Sequence, residues 1–154
     1  MISIFYGTRP EYLKVISVYE EFKKRKANVE LVRVNQHTDL IENFPFDREI
    51  SVHSRTDNRL NDLISSCLMP EVFLPETEYV IVQGDTATTY GISLNAFNSQ
   101  IPIGHIEAGL RSYNRKHPYP EESYRRCVST FVNSHFCVTD VGHKNLQTER
   151  IDYD

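Results

Sequence analysis

Short apolar runs separated by longer amphipathic stretches decide what this chain can fold into. Residues 2–6, 29–35, 79–83 and 101–106 read as strands, and a short one follows at 135–138. Residues 9–26 place Tyr12, Leu13, Ile16, Tyr19 and Phe22 three and four apart, the repeat of a helix that buries one face. Further helical stretches are read at 57–68, 86–98, 121–131 and from 140 onward, with a polar, irregular stretch reaching to about residue 55 and a loop over 108–119. Strands that alternate with helices pair in parallel, because each helix carries the chain back to the starting edge. The expected class is therefore α/β, a three-layer, Rossmann-like, doubly wound parallel sheet covered on both faces. A chain of 154 residues, 40% of them hydrophobic, has the size of one domain with a real core, so residues 1–154 are read as a single domain.

The net charge of −4 supplies no general attraction for phosphate backbones or anionic lipid, which argues against nucleic acid and membrane as partners. Cys67, Cys127 and Cys137 are odd in number and lack metal-site spacing; they are read as buried thiols in a reducing compartment. No run of about 18 apolar residues is present to span a bilayer, and the N-terminus enters a strand directly. These features predict a soluble, cytoplasmic protein.

Arg9, Asp85 and Glu107 each stand just past an apolar run. If those runs are neighbouring parallel strands, the three side chains gather at the carboxyl edge of the sheet, where open α/β sheets bind ligands. Gly7-Thr8-Arg9-Pro10-Glu11 lies at the first strand-to-helix turn, where backbone N–H groups can meet phosphate, although the Gly-rich dinucleotide fingerprint is absent. Thr8 and Glu11 also have the spacing of a capping box, and Pro10 suits a first helical turn. Arg9 is not needed for that. Lys14 is either a solvated helix residue or a cation reaching over the same edge. The run Lys23-Lys24-Arg25-Lys26 complements the helix dipole and is assigned no function.

In Gly84-Asp85-Thr86, Asp and Thr serve equally as helix caps or as site groups, and the Gly argues for a special dihedral. Strand alternation would put His105 and Glu107 on one side, which raises a metal reading. The Pro-Cys-x-x-Cys segment that would complete a deaminase zinc site does not occur, so zinc is rejected. Pro118-Tyr119-Pro120-Glu121-Glu122 opens a helix with acidic residues in its first turn, and Arg125 and Arg126 follow at ion-pair spacing.

Taken together and in this order, Gly7-Thr8-Arg9-Pro10-Glu11, Gly84-Asp85-Thr86, Gly104-His105-Ile106-Glu107-Ala108-Gly109-Leu110-Arg111 and Pro120-Glu121-Glu122 with Arg125 resemble the non-hydrolysing UDP-N-acetylglucosamine 2-epimerase family. The resemblance covers residues 2 to about 148. It implies one half of a glycosyltransferase-B-like, two-domain enzyme that uses no metal or nicotinamide cofactor and inverts a UDP-sugar at C2. UDP is eliminated to give a 2-acetamidoglucal, then re-added after a proton returns to the other face. Mapped onto this chain, the family's motifs make Asp85, Glu107 and Glu121 the catalytic carboxylates and Arg9, Lys14 and Arg125 the substrate-binding cations. Asp85 and Glu107 are expected at the C2 face and Glu121 opposite, with pKa values raised by mutual proximity and lowered by the cations.

Family members are about twice as long. The resemblance implies that a second, C-terminal domain supplies most uridine contacts, a catalytic histidine and part of the diphosphate clamp. Negligible epimerase activity is expected of these residues alone, since a half-site leaves substrate in water. The resemblance also implies a homodimer. Two other readings share the fold: the N-terminal domain of a sugar transferase, and a non-catalytic interaction domain. The segment Arg111-Ser112-Tyr113-Asn114-Arg115 does not single out one UDP-sugar.

Overall fold

In the computed structural model, which describes residues 1–35 and 44–151, the elements run β1 (Ile2–Tyr6), α1 (Arg9–Lys24), β2 (Val29–Asn35), β3 (Arg48–Ser51), α2 (Arg59–Cys67), β4 (Tyr79–Gln83), α3 (Ala87–Asn98), β5 (Ile103–Ile106), α4 (Glu121–Ser129), β6 (Ser134–Phe136) and α5 (Asp140–Thr148). A 3-10 turn at Pro70–Val72 precedes β4. All strand pairs are parallel, and the six strands lie in the order β3-β2-β1-β4-β5-β6. The direction of winding reverses between β1 and β4, so the crevice there is the topological switch point of a doubly wound sheet.

Alternation along the strands feeds two cores. Phe5, Val32, Val34, Val80 and Val82 point to one face and pack with Leu63 and Cys67 of α2, Ile92 and Ala96 of α3 and Val128 of α4. Ile4, Tyr6, Leu31 and Ile81 point to the other and pack against Tyr12 and Val15 of α1. Central strands buried on both sides read as continuous apolar runs, which is why β1, β2 and β4 are plain in the sequence.

Strand β3 was not expected. It falls in the stretch read as irregular, of which residues 36–43 lie outside the described residues. Its sequence, Arg48-Glu49-Ile50-Ser51, carries little apolar signal. It is an edge strand paired by backbone and by charge: Arg48 bonds Glu30 of β2 at 2.8 Å, and Arg33 of β2 pairs with Glu49. The cysteine reading also needs correction. Cys67 is buried and its thiol is pushed up to about 12 by desolvation, but Cys127 is exposed and Cys137 half-buried. Cys127 sits on the outer side of α4, where helical periodicity turns it away from the Val128 core.

Element ends shift by small amounts with local causes. Arg25 caps α1 and Lys26 takes φ +59°, so the helix stops two residues early. Pro102 lacks the N–H that would extend β5 backward. Among the described residues no helix is long and apolar enough to cross a membrane.

Candidate active site at the carboxyl edge

Every helix that follows a strand here begins at the carboxyl edge, and the caps are side chains the sequence places there. Thr8 accepts the Glu11 N–H and Glu11 reaches back, completing the capping box of α1. Thr86, not Asp85, caps α3 by accepting the Thr89 N–H. Asp85 is thereby left for other work. Gly84 turns the chain out of β4 at φ +77°, and its carbonyl accepts from His105 Nε2 at 2.6 Å.

His105 is 1% exposed, and desolvation lowers its pKa to about 4, against a smaller opposing push from the Gly84 bond. The ring is therefore neutral near pH 7 and donates through Nε2, leaving the buried Nδ1 without a hydrogen bond. Glu107 does not continue the strand alternation, because β5 ends at Ile106 and Glu107 adopts φ +68°. Its N–H donates to the Phe136 carbonyl at 3.0 Å, which closes the end of β5 onto β6. Glu107 and His105 consequently serve different partners. Two residues later Gly109, at φ +84°, lies against α5 so closely that a Cβ there would fall 2.2 Å from the Gly142 carbonyl oxygen.

The charged groups at this edge form two sets. Glu107 accepts from Lys14 Nζ of α1 and from Gln83 Nε2, which is otherwise buried at the end of β4. Asp85 is held by Arg125 Nη2 of α4, and Arg125 Nη1 lies 3.6 Å from Glu122. Glu121 and Glu122, alike in sequence, part company in space. Glu122 is fully buried and accepts the Ser112 and Tyr113 N–H groups at 2.9 and 3.0 Å, so it shapes the 110–119 loop. Glu121 faces a pocket of about 130 Å³ lined also by Thr8, Leu60, Asp85, Thr86 and Tyr124.

The structure thus brings Asp85 and Glu121 to one pocket, with Arg125 on Asp85. Glu107 is not among that pocket's lining and is tied instead to Lys14. Arg9 is exposed beside Thr8, with no side-chain bond to the described residues. Arg111 is withdrawn from the edge: it is buried, makes two bonds to Glu149 at 2.9 and 2.8 Å and one to Ser129. Sequence reasoning passed over Gln83, whose place at the end of an apolar run is the one signal it offered, and saw Glu11 only as a cap. Among the described residues no cluster of three or more His, Cys, Asp or Glu is placed to hold a metal. An edge with two cation–carboxylate pairs and a further carboxylate can bind an anionic group and move protons beside it.

A family model described as UDP-N-acetylglucosamine 2-epimerase matches residues 20–154. The UDP-N-acetylglucosamine 2-epimerase of Neisseria meningitidis serogroup A is 36% identical over 160 residues, which cover 97% of this chain and 42% of that protein. The Bacillus subtilis enzyme of the same name is 35% identical, over 94% of this chain and 40% of its own length. Among solved structures, UDP-GlcNAc 2-epimerase from Neisseria meningitidis bound to UDP-GlcNAc superposes with a TM-score of 0.86 at 32% identity, over 98% of this chain and 44% of that one. The Methanocaldococcus jannaschii UDP-GlcNAc 2-epimerase in complex with UDP-GlcNAc and UDP gives 0.86 at 30% identity, over 98% and 44%. The chain spans about two fifths of the length of the curated relatives it matches.

Proposed function

The chain belongs to the UDP-N-acetylglucosamine 2-epimerase family, and we propose that its carboxyl sheet edge is one wall of the cleft in which a UDP-N-acetylhexosamine is inverted at C2. A second, nucleotide-binding domain, on the same or a separate polypeptide, forms the other wall. The observation that carries the reading is the pairing of carboxylates with cations at the β1/β4 switch point: Asp85 with Arg125, Glu107 with Lys14, and Glu121 facing the Asp85 pocket.

The chemistry accounts for that arrangement. The C2 hydrogen of the sugar is not beside a carbonyl, so it leaves only as the anomeric C–O bond breaks. The electron pair of that bond departs on the diphosphate, the C2 proton passes to a carboxylate, and a C1–C2 double bond remains. Return of a proton to the opposite face and re-addition of UDP at C1 complete the inversion. Two proton-transfer groups on different sides of the ring are needed, and Asp85, Glu107 and Glu121 are the candidates. The departing diphosphate needs cations, and Arg9, Lys14 and Arg125 are the candidates at this edge. Arg9 is already exposed, whereas Lys14 and Arg125 would exchange or share a carboxylate for phosphate oxygens. No step calls for a metal or a redox cofactor. The protein is read as cytoplasmic and as a homodimer in its complete form.

The test is to supply the C-terminal half in trans and incubate UDP-N-acetylglucosamine in heavy water. Deuterium arriving at C2, with glycal and UDP detected as intermediates, is the expected outcome; a sugar transferase would need an acceptor and make no glycal. Absence of C2 exchange in the reassembled protein would refute the reading. The chain by itself should show negligible turnover.

A further inference from the structure

One buried carboxyl group lies between the turn that carries Arg9 and the turn that carries Asp85. Glu11 is 3% exposed. Its Oε2 accepts the backbone N–H groups of Gly7 and Thr8 at 2.7 and 2.8 Å. Its Oε1 accepts the Thr86 hydroxyl at 2.6 Å and lies 3.3 Å from the Thr89 hydroxyl. A capping box needs only the bond to the Thr8 N–H, and surface Glu or Gln residues make it routinely. Capping therefore explains neither the burial of Glu11 nor its bonds across to α3.

The Thr86 bond and the Thr89 contact reach the segment around Asp85 from both sides. Thr86 directly follows Asp85, and Thr89 donates to the Gln83 carbonyl at 2.7 Å, just ahead of Gly84. The hydrogen-bond donors around the carboxyl are all neutral, and desolvation raises its pKa against the opposing bonds from Thr86, Gly7 and Thr8. Withdrawing a carboxyl from water without a cation is costly, so a Glu at this position demands a reason beyond helix capping.

We propose that Glu11 is a positioning residue of the sugar-nucleotide site: a clamp that sets the Gly7-Thr8-Arg9 turn against the Asp85-Thr86 turn, so that phosphate-side and sugar-side groups address one ligand. The inference rests on the epimerase reading. What it requires of Glu11 is reach and acceptor geometry, not charge. Gln has the same reach: its oxygen can take the Gly7 and Thr8 N–H groups, and its NH2 can donate to Thr86 and Thr89, because Thr89 already spends its own proton on Gln83. Asp keeps the charge and loses the reach.

The experiment uses the 154-residue chain with UDP-N-acetylglucosamine as probe, following backbone amides by NMR. In the unaltered chain the ligand should move the amides of both turns with one midpoint. Glu11→Ala and Glu11→Asp should speed hydrogen exchange at Gly7 and Thr8, shift Asp85 and Thr86, and weaken ligand binding, each rate and affinity by about tenfold or more. Glu11→Gln should bring all of these back to within about threefold. Thr86→Val should reproduce the loss and Thr86→Ser should not, an arm that decides the matter if Glu11→Ala fails to fold. The proposal is overturned if Glu11→Ala folds with both turns and the ligand response as in the unaltered chain, or if Glu11→Gln is as impaired as Glu11→Ala. If the chain shows no response to the sugar nucleotide even with the C-terminal half supplied in trans, the epimerase reading fails, while ligand-free exchange and shifts still test the clamp.

Discussion

The two edges of the sheet differ in a way that volume alone would misrepresent. The amino edge holds a cavity of about 490 Å³ bounded by Phe97, Ile101, Phe131, Val132, Arg150 and Ile151, whereas the pocket containing Asp85 and Glu121 at the carboxyl edge measures about 130 Å³. Phe97 and Phe131 meet at 5.2 Å in the larger space, and among the described residues no carboxylate lines it. At the carboxyl edge, by contrast, charged groups converge. Parallel topology is the cause: each helix that follows a strand starts at that edge, so helix N-termini and their positive dipole ends collect there, while the opposite edge collects carbonyl ends. Anion chemistry is therefore sited by the direction of the strands. Convergent polar groups mark the place better than emptiness does.

The most severe way to break this contrast is to neutralise a carboxylate. Asp85→Asn should lower turnover of the assembled enzyme by about 10² to 10⁴, the range for loss of a positioned acid or base. Deuterium incorporation at C2 measures it, and a urea midpoint close to that of the unaltered protein would show that the fold survived. Unchanged turnover would remove Asp85 from the chemistry.

How far the sequence already drew this contrast depends on what each residue needed in order to be seen. β1, β2 and β4 are buried on both faces and announce themselves as apolar runs; β3 is held by Arg33–Glu49 and Arg48–Glu30 pairs that periodicity cannot register. Asp85 and Arg9 were visible as charges following strands. That Lys14 meets Glu107, or that Glu121 and Glu122 face different ways, depends on the turn at φ +68° and on the folded 110–119 loop, which no spacing rule reaches. Gln83 and Glu11 were hidden for a third reason: each has an ordinary local explanation, and only the contact across the switch point gives it a second one.

A charged residue near the carboxyl edge need not belong to the site, and Arg111 sharpens the comparison. Its side chain is fully buried against Glu149. Arg111→Ala should cost about 3 kcal/mol, the upper end for losing charge-assisted hydrogen bonds, since the Glu149 carboxylate left behind still meets water, as read from urea unfolding. The Arg111 bonds hold the Glu149 carboxyl below its ordinary range, so the stability from this pair is complete above that range and fades as pH falls through the lowered value.

His105 gives a comparable effect with its own pH window. Its pKa falls from an ordinary 6.5 to about 4 on folding, so below pH 6.5 the unfolded chain takes up a proton that the folded one refuses. Stability should decline between about pH 6.5 and pH 4, and the gap between the two values corresponds to about 3 kcal/mol. His135, also lowered by burial, acts in the same direction. His105→Gln can keep the bond to the Gly84 carbonyl without titrating, because its amide nitrogen falls where Nε2 does, so urea midpoints across this window should flatten in the variant. An unaltered slope would place the acid sensitivity elsewhere.

The smallest effects belong to the amino edge, and they test whether it is inert toward the chemistry. Phe131 is partly buried, touching both Tyr90 and Phe97, and Phe131→Ala should cost about 2 kcal/mol, less than a fully buried ring because part of its surface already meets water. Phe97 is 52% exposed, and Phe97→Ala should stay within about 0.5 kcal/mol. Neither change should alter the midpoint at which UDP-N-acetylglucosamine moves the Arg9 and Asp85 amides. The Tyr90–Tyr124 stack offers a path that could prove otherwise: Phe131 packs on Tyr90, and Tyr124 lines the Asp85 pocket. If Phe131→Ala weakens ligand binding while Phe97→Ala does not, the two edges are mechanically joined through that stack, and the contrast between them is one of chemistry alone.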